Sequence, residues 1–152
     1  MIGAFRVASL VDTNILVYRC DPRDPAKRAA ALQVLREGET SGELRIPHQA
    51  LVEFVNSVTR LSGGAQPIMT LGDATRQAEL FMAEFPVLYP NESVFRMALL
   101  GKAAYGLPWY DAHLWAYAEH YGLPEIISED FEHGRRYGTV RIRNPLAELD
   151  LV

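Results

Sequence analysis

Asp12 ends the apolar run Val7-Ala8-Ser9-Leu10-Val11 and opens the triplet Asp12-Thr13-Asn14. A short buried strand that delivers a carboxylate to its C-terminal edge puts it where open α/β sheets bind ligands. Three more acids, Glu53, Asp111 and Asp130, recur in equally apolar surroundings. A carboxylate beside a hydrophobic run costs stability unless it is paired, hydrogen-bonded or bound to metal. Together they point to one acidic pocket assembled from distant parts of the chain. Such a pocket suits a hard divalent cation, Mg²⁺ or Mn²⁺, which takes oxygen ligands. Four acids suffice for one ion held tightly or for two ions about 3.5–4 Å apart. Ions so held lower the pKa of a water, orient it and neutralise charge on a scissile phosphate. Without them the carboxylates repel one another, and at least one pKa rises.

Taken singly, each acid also has a plainer reading. Asp12 with Asn14 reads as a strand-end turn. Glu53 reads as a solvent-facing helix residue, Asp111 as a helix N-terminal cap, and Asp130 as a cap on the short helix that includes His133. Their order and common setting are what tie them together.

The elements that must position them follow from pattern. Residues Arg6 to Tyr18 read as a first strand and its exit turn. A helix starts at Asp24 or Pro25 and runs over Ala26 to Glu37, with Gly38 closing it. Glu43 to Pro47 is a short strand. His48 to Leu61 is an amphipathic helix, with Leu51, Val52, Val55 and Val58 at helical spacing and Ser62-Gly63-Gly64 as its stop. Leu71 to Glu84 is a further helix and Pro86 to Tyr89 a strand. Asn91 or Ser93 starts a helix that Gly106-Leu107-Pro108 breaks. Tyr110 to Tyr121 is a helix ended by Gly122. Glu125 to Ser128 is a strand, Asp130 to Gly134 a turn or short helix, and Thr139 to Ile142 the last strand. Strands alternating with helices imply a largely parallel sheet covered on both faces, with right-handed crossovers. In that arrangement strand C-termini and helix N-termini share one edge, so the four acids converge there.

The bulk numbers bound the answer. At 152 residues and 49% apolar, the chain fits one domain with a substantial core. A single cysteine, Cys20, excludes an internal disulfide and suits a reducing cytoplasm. No apolar stretch approaches the roughly 20 residues of a membrane helix, and Met1 to Arg6 is too short for a signal peptide. The net charge of -4 is an unusual balance for a broad grip on nucleic acid. Clustered acids at a metal site lower that charge, so a nuclease stays compatible with it. Arg135, Arg136, Arg141 and Arg143 concentrate basic charge near the C-terminus.

The chain resembles PIN-domain ribonucleases, and among them the VapC-type toxins of bacterial toxin–antitoxin pairs. Three stretches carry the likeness: Leu10-Val11-Asp12-Thr13-Asn14-Ile15-Leu16-Val17-Tyr18, Trp109-Tyr110-Asp111-Ala112-His113-Leu114-Trp115-Ala116, and Ile127-Ser128-Glu129-Asp130-Phe131-Glu132-His133-Gly134. The last is trailed by Val140-Arg141-Ile142-Arg143-Asn144-Pro145-Leu146, and Leu51-Val52-Glu53-Phe54 supplies an acid on an early helix. The resemblance implies one PIN-like domain over residues 1–152, a three-layer α/β/α sandwich with a central, mostly parallel sheet. It implies Mg²⁺- or Mn²⁺-dependent cleavage of RNA by an activated water. Asp12, Glu53, Asp111 and Asp130 match the family's acidic positions. Asp12 and Asp111 would ligate metal directly; Glu53 and Asp130 would act directly or through water. Asn14, Thr13 and Ser128 match polar positions that hold carboxylates or water in place. A cognate antitoxin and a homodimer are implied partners, and the cytoplasm is the implied location. His113, Trp115 and Tyr117 depart from the small residues usual after the third acid.

Other residues have competing readings. His113 is assigned to structure over RNA contact, and His133 to a turn contact. No His pair shows zinc spacing with a cysteine. Arg135 and Arg136 are the best candidates for phosphate contact, against a solvated turn. Trp109 and Tyr110 either stack on a base or pack the helix entry, with packing favoured. The helices at Leu71 to Glu84 and around Phe95, Met97, Leu99 and Leu100 fit a dimer face or ordinary core packing. Two other functions compete with the nuclease. A phosphatase of the haloacid dehalogenase type would need an Asp where Asn14 stands. A PIN-fold binding module would keep the fold and lose turnover.

Overall fold

The computed structural model of the chain describes residues 7–61 and 64–147. The expected strand start at Arg6, the segment before it, and the Ser62-Gly63 helix stop lie outside the described residues. The described residues form, in order, β1 (Ser9–Val11), α1 (Thr13–Cys20), α2 (Pro25–Ser41), β2 (Leu44–Pro47), α3 (His48–Thr59) and α4 (Leu71–Glu84). There follow β3 (Val87–Leu88), α5 (Glu92–Tyr105), α6 (Trp109–His120), β4 (Glu125–Ile127), β5 (Arg136–Tyr137) and β6 (Val140–Arg143).

The sheet order is β3-β2-β1-β4-β6-β5. All neighbours are parallel except β5 and β6, which form an antiparallel hairpin at one edge. Side-chain alternation along the strands builds a core on each face. Val11, Leu44, Ile46 and Ile127 face one core with α1, α2, α3 and α4. Leu10, Ile126, Val140 and Ile142 face the other with α5 and α6. The expected α/β/α sandwich is what the chain builds.

Two local expectations need correction. The first strand is only three residues long, and its supposed exit turn is helix α1, whose N-cap is Asp12. Gly38 does not close α2. The helix continues to Ser41, and Gly42 ends it at φ 74°, its N–H donating to the Gly38 carbonyl. Gly42 takes the left-handed turn that β-carbon sterics deny most residues. Gly38 has a different role: a β-carbon there would stand 2.7 Å from Leu44 Cβ, so its bareness lets α2 lie against β2. The β5 hairpin edge was not foreseen, because Arg136-Tyr137 is too short and too polar to read as a strand.

The starts of α2, α4 and α5 follow their capping residues. Asp24 accepts from Lys27 N–H with Pro25 at the first helical position. Thr70 and Asn91 cap α4 and α5 in the same way. On the second face, Gly101 of α5 presses on the indole of Trp115 in α6; a β-carbon at Gly101 would sit 2.5 Å from Trp115 Cε3. The indole N–H donates to the Tyr137 carbonyl at 3.0 Å, which ties α6 to the sheet edge.

Gly101→Ala sets two effects against each other. Helix propensity favours alanine by about 1 kcal/mol, while overpacking costs about 1–3 kcal/mol. The contact is with a ring fixed by its own hydrogen bond, so destabilisation should win, read as a lowered urea midpoint. A midpoint at or above wild type would show that Trp115 moves aside freely.

Candidate active site

From β1 the chain crosses to β2 on one side, while β4 lies parallel to β1 on the other. That reversal makes the β1–β4 boundary a topological switch point, where a crevice opens beyond the strand C-termini. Asp12 follows β1 there, and Ser128, Glu129 and Asp130 follow β4. The Asp12 N–H still donates to the Ile127 carbonyl at 2.9 Å, so the acid is fixed to the neighbouring strand. Across the mouth, α3 brings Glu53 and the first turn of α6 brings Asp111.

Asp12, Glu53, Asp111 and Asp130 all line one cleft of ≈ 300 Å³, with Thr13, Asn14, Val17, Tyr18, Gln49, Ser57, Tyr110 and Leu114. The three supporting polar residues named from sequence all touch these acids. Ser128 Oγ donates to Asp12 Oδ2 at 2.6 Å, and Asn14 Nδ2 lies 3.4 Å from the same oxygen. Thr13 N–H donates to Asp12 Oδ1 at 2.6 Å. The Thr13 hydroxyl donates to Glu53 Oε2 at 2.9 Å. Asp130 N–H in turn donates to Ser128 Oγ at 3.0 Å, so one hydroxyl orients two of the acids.

The electrostatics are one-sided. Asp12 is only 5% exposed, and burial first, then the charges of Asp130 and Asp111, push its pKa from 3.8 up to about 7 against the hydrogen bonds of Ser128 and Thr13. Burial, with Asp130 and Glu53, lifts Asp111 to about 6. Among the described residues lining the cleft none is Lys, Arg or His. The lining therefore offers oxygen ligands and uncompensated negative charge, the donor set of a hard cation. Among the described residues, no three His, Cys, Asp or Glu side chains are arranged as a ready-made metal cage. The donor set fits an ion held by one or two carboxylates with water completing its shell, as Mg²⁺ is usually held. Burial, reinforced by like charge, raises the pKa of both Asp12 and Asp111.

Sequence reasoning missed two groups at this cleft. Gln49 stands one helical turn before Glu53; its amide donates to the Tyr110 carbonyl at 3.1 Å and approaches Glu53 Oε2 at 3.5 Å. The i,i+4 spacing was the available signal. Tyr18 also lines the cleft, and its hydroxyl donates to Glu129. Burial and that carboxylate raise the Tyr18 pKa, which keeps the phenol a donor.

The structure separates the remaining candidates. Trp109 packs against His113 at 4.4 Å and Phe95 at 5.9 Å between ring centres, as the packing reading had it. Tyr110 is 67% exposed at the cleft rim. His133 Nδ1 accepts from Asn144 N–H at 2.9 Å, a turn contact. Arg135 and Arg136 do not line the cleft. Arg135 pairs with Glu132 at 3.1 Å and lies over the Tyr137 ring, while Arg136 is exposed on the edge strand β5.

Comparison with known proteins places this geometry in context. The family model described as PIN domain matches residues 9–138. No curated protein matches the chain by sequence. Among solved structures, a toxin–antitoxin complex from Klebsiella pneumoniae is similar at TM-score 0.66 and 16% identity, over 91% of this chain and 98% of that one. VapC20 of Mycobacterium tuberculosis, a toxin that cleaves the sarcin–ricin loop, is similar at TM-score 0.61 and 14% identity, over 81% and 90%. A protein from Pyrobaculum aerophilum is similar at TM-score 0.56 and 25% identity, over 99% and 100%.

The raised Asp12 pKa carries a stability consequence. Its folded value of about 7 exceeds the ordinary aspartate value of 3.8. The folded state therefore holds the proton more tightly. The stability this contributes is fully present below the unfolded pKa and lost as pH rises through about 7. At about 1.4 kcal/mol per unit, the loss is on the order of a few kcal/mol. In EDTA, the urea midpoint of wild type should fall between about pH 4.5 and pH 8. Asp12→Asn keeps an acceptor for Thr13 N–H and stays neutral, so its midpoint should fall less and lie above wild type at the higher pH. Parallel pH profiles would mean that Asp12 ionises in the fold without penalty.

Proposed function

The chain belongs to the PIN-domain family, and we propose that it is a Mg²⁺- or Mn²⁺-dependent endoribonuclease, the toxin of a toxin–antitoxin pair acting in the cytoplasm. The observation that carries this reading is the cleft at the β1–β4 switch point, lined by Asp12, Glu53, Asp111 and Asp130 and, among the described residues, by no basic side chain.

A phosphodiester brings negative charge to a cleft that is already negative, so binding needs a cation. A divalent ion supplies that neutralisation and lowers the pKa of the attacking water. Asp12 and Asp111 would hold it, with Glu53 and Asp130 acting directly or through water. Ser128 and Thr13 aim the two Asp12 oxygens, and the Thr13 hydroxyl fixes Glu53, so the carboxylates are set before substrate arrives. The rim residue Tyr110 and the partly apolar wall of Val17 and Leu114 suit the sugar and base beside the cut.

The structural neighbours include a toxin–antitoxin complex, which supports an antitoxin as partner here. Exposed apolar residues on α4 (Leu71, Leu80, Met82) and α5 (Phe95, Leu99, Leu100) suit a protein partner, a second copy of the chain or the antitoxin. A phosphatase of the haloacid dehalogenase type is disfavoured. Asn14 stands where its second acid would be, and it spans between Asp12 and the Glu129 N–H.

The experiment is cleavage of total cellular RNA by wild type and Asp12→Asn, with Mg²⁺, Mn²⁺ or EDTA. Discrete fragments that need both the metal and Asp12 are expected. Full cleavage by Asp12→Asn would remove the cleft as the active site. Absence of cleavage with any metal, from folded and antitoxin-free protein, would favour a catalytically weak binding module. Of the two arginines proposed for phosphate contact, Arg135 is already paired with Glu132, which leaves Arg136 the better candidate. Arg136→Ala should weaken RNA binding and lower the salt slope by about one unit. An unchanged slope would exclude it.

A further inference from the structure

Beside the four acids, Tyr18 of α1, Lys27 of α2 and Glu129 after β4 form a cluster that the nuclease reading does not use. The Tyr18 hydroxyl donates a short hydrogen bond to Glu129 Oε1. Lys27 Nζ stands 2.9 Å from Glu129 Oε2 and 3.2 Å from the Tyr18 oxygen. The same ammonium lies 4.8 Å from the centre of the Tyr18 ring. Each member thus touches both others. Tyr18 lines the four-acid cleft, while Lys27 and Glu129 line a second cleft of ≈ 430 Å³ with Asp24, Asn144 and Leu146. The cluster is the wall between the two.

Its position matters because of what it borders. After β4, Ser128 N–H still donates to the Arg143 carbonyl, but residues 129–131 belong to no strand or helix. Asp130 rides on that segment. Its local backbone ties are Asp130 N–H to Ser128 Oγ at 3.0 Å and Glu129 N–H to Asn14 Oδ1 at a long 3.4 Å. The Glu129 side chain is the segment's link to both α1 and α2. Lys27 is itself fixed at the start of α2, where its N–H is held by the Asp24 cap. Partly exposed ion pairs add little to global stability, so the effect of this one falls on the segment it holds.

We propose that Lys27, Glu129 and Tyr18 are positioning residues: a clamp that holds the Asp130 segment against α1 and α2 and so sets the cation affinity of the four-acid cleft. The inference rests on reading that cleft as a cation site. Loosening the segment lets Asp130 and the Ser128 hydroxyl drift, and with Ser128 goes the orientation of Asp12.

The test uses the full chain, cation-free, in two measurements. Amide hydrogen exchange reads the Ser128 to Phe131 segment, and a Mn²⁺ titration reads the cleft. Lys27→Met and Glu129→Gln should each speed exchange in that segment while the thermal midpoint stays near wild type. Each should weaken Mn²⁺ binding by about 10-fold or more. The double variant should be no worse than either single, because both remove one contact. Lys27→Arg should retain wild-type values, and Tyr18→Phe should give a smaller effect of the same sign. Wild-type exchange and wild-type Mn²⁺ affinity in Lys27→Met and Glu129→Gln would overturn the clamp. So would faster exchange spread over the whole chain with a lowered thermal midpoint, which marks a merely structural contact. If wild type binds no Mn²⁺, the cation reading fails, and the exchange measurement alone still decides whether the segment is clamped.

Discussion

The structure turns on one carboxylate. Asp12 is buried at the switch point between β1 and β4 and faces further acids with no basic side chain among the described cleft residues. Burial and like charge push its pKa up, and hydrogen bonds from Ser128 and Thr13 pull it down; the first pair wins. A neutral residue of the same shape would suit the fold better. The acid is therefore held at a cost in stability, the pattern of a functional group rather than a structural one.

Everything around it serves to fix that position. The two cores clamp the central strands from opposite faces, with Val11 and Ile127 on one side and Leu10 and Ile126 on the other. These strands are only three residues long, yet their register places Val11 beside Ile127 and so Asp12 beside Ser128. Helix N-termini share the same edge. Asp12 caps α1 and Asp111 lies in the first turn of α6, where the backbone dipoles favour negative charge. That relieves part of the mutual repulsion and leaves a remainder for a cation to cancel.

Much of this was legible in the residues. Alternating apolar runs and helical periodicities give the sandwich, and α4 falls on Leu71–Glu84 as its pattern predicts. The four acids could be named from their apolar settings, whereas Thr13, Asn14 and Ser128 came from the resemblance to PIN-domain ribonucleases. Where local pattern misled, tertiary packing was the reason. Gly38 looks like a helix stop, and only the approach of Leu44 explains why it sits inside one. Arg135 looks like a phosphate contact, and only the fold brings Glu132 and Tyr137 to it. The Tyr18–Lys27–Glu129 contacts join residues far apart in sequence, so no local periodicity encodes them.

The most direct measurement is the proton count on cation binding. Mn²⁺ titrated calorimetrically into the protein near pH 6.5, in two buffers of different ionisation enthalpy, reads how many protons leave the cleft. With Asp12 at about 7 and Asp111 at about 6, binding should release on the order of one proton there, fading to none above about pH 8. Mn²⁺ binding without proton release, or no binding at all, would contradict a cation site built on a buried Asp12 that holds its proton up to about pH 7.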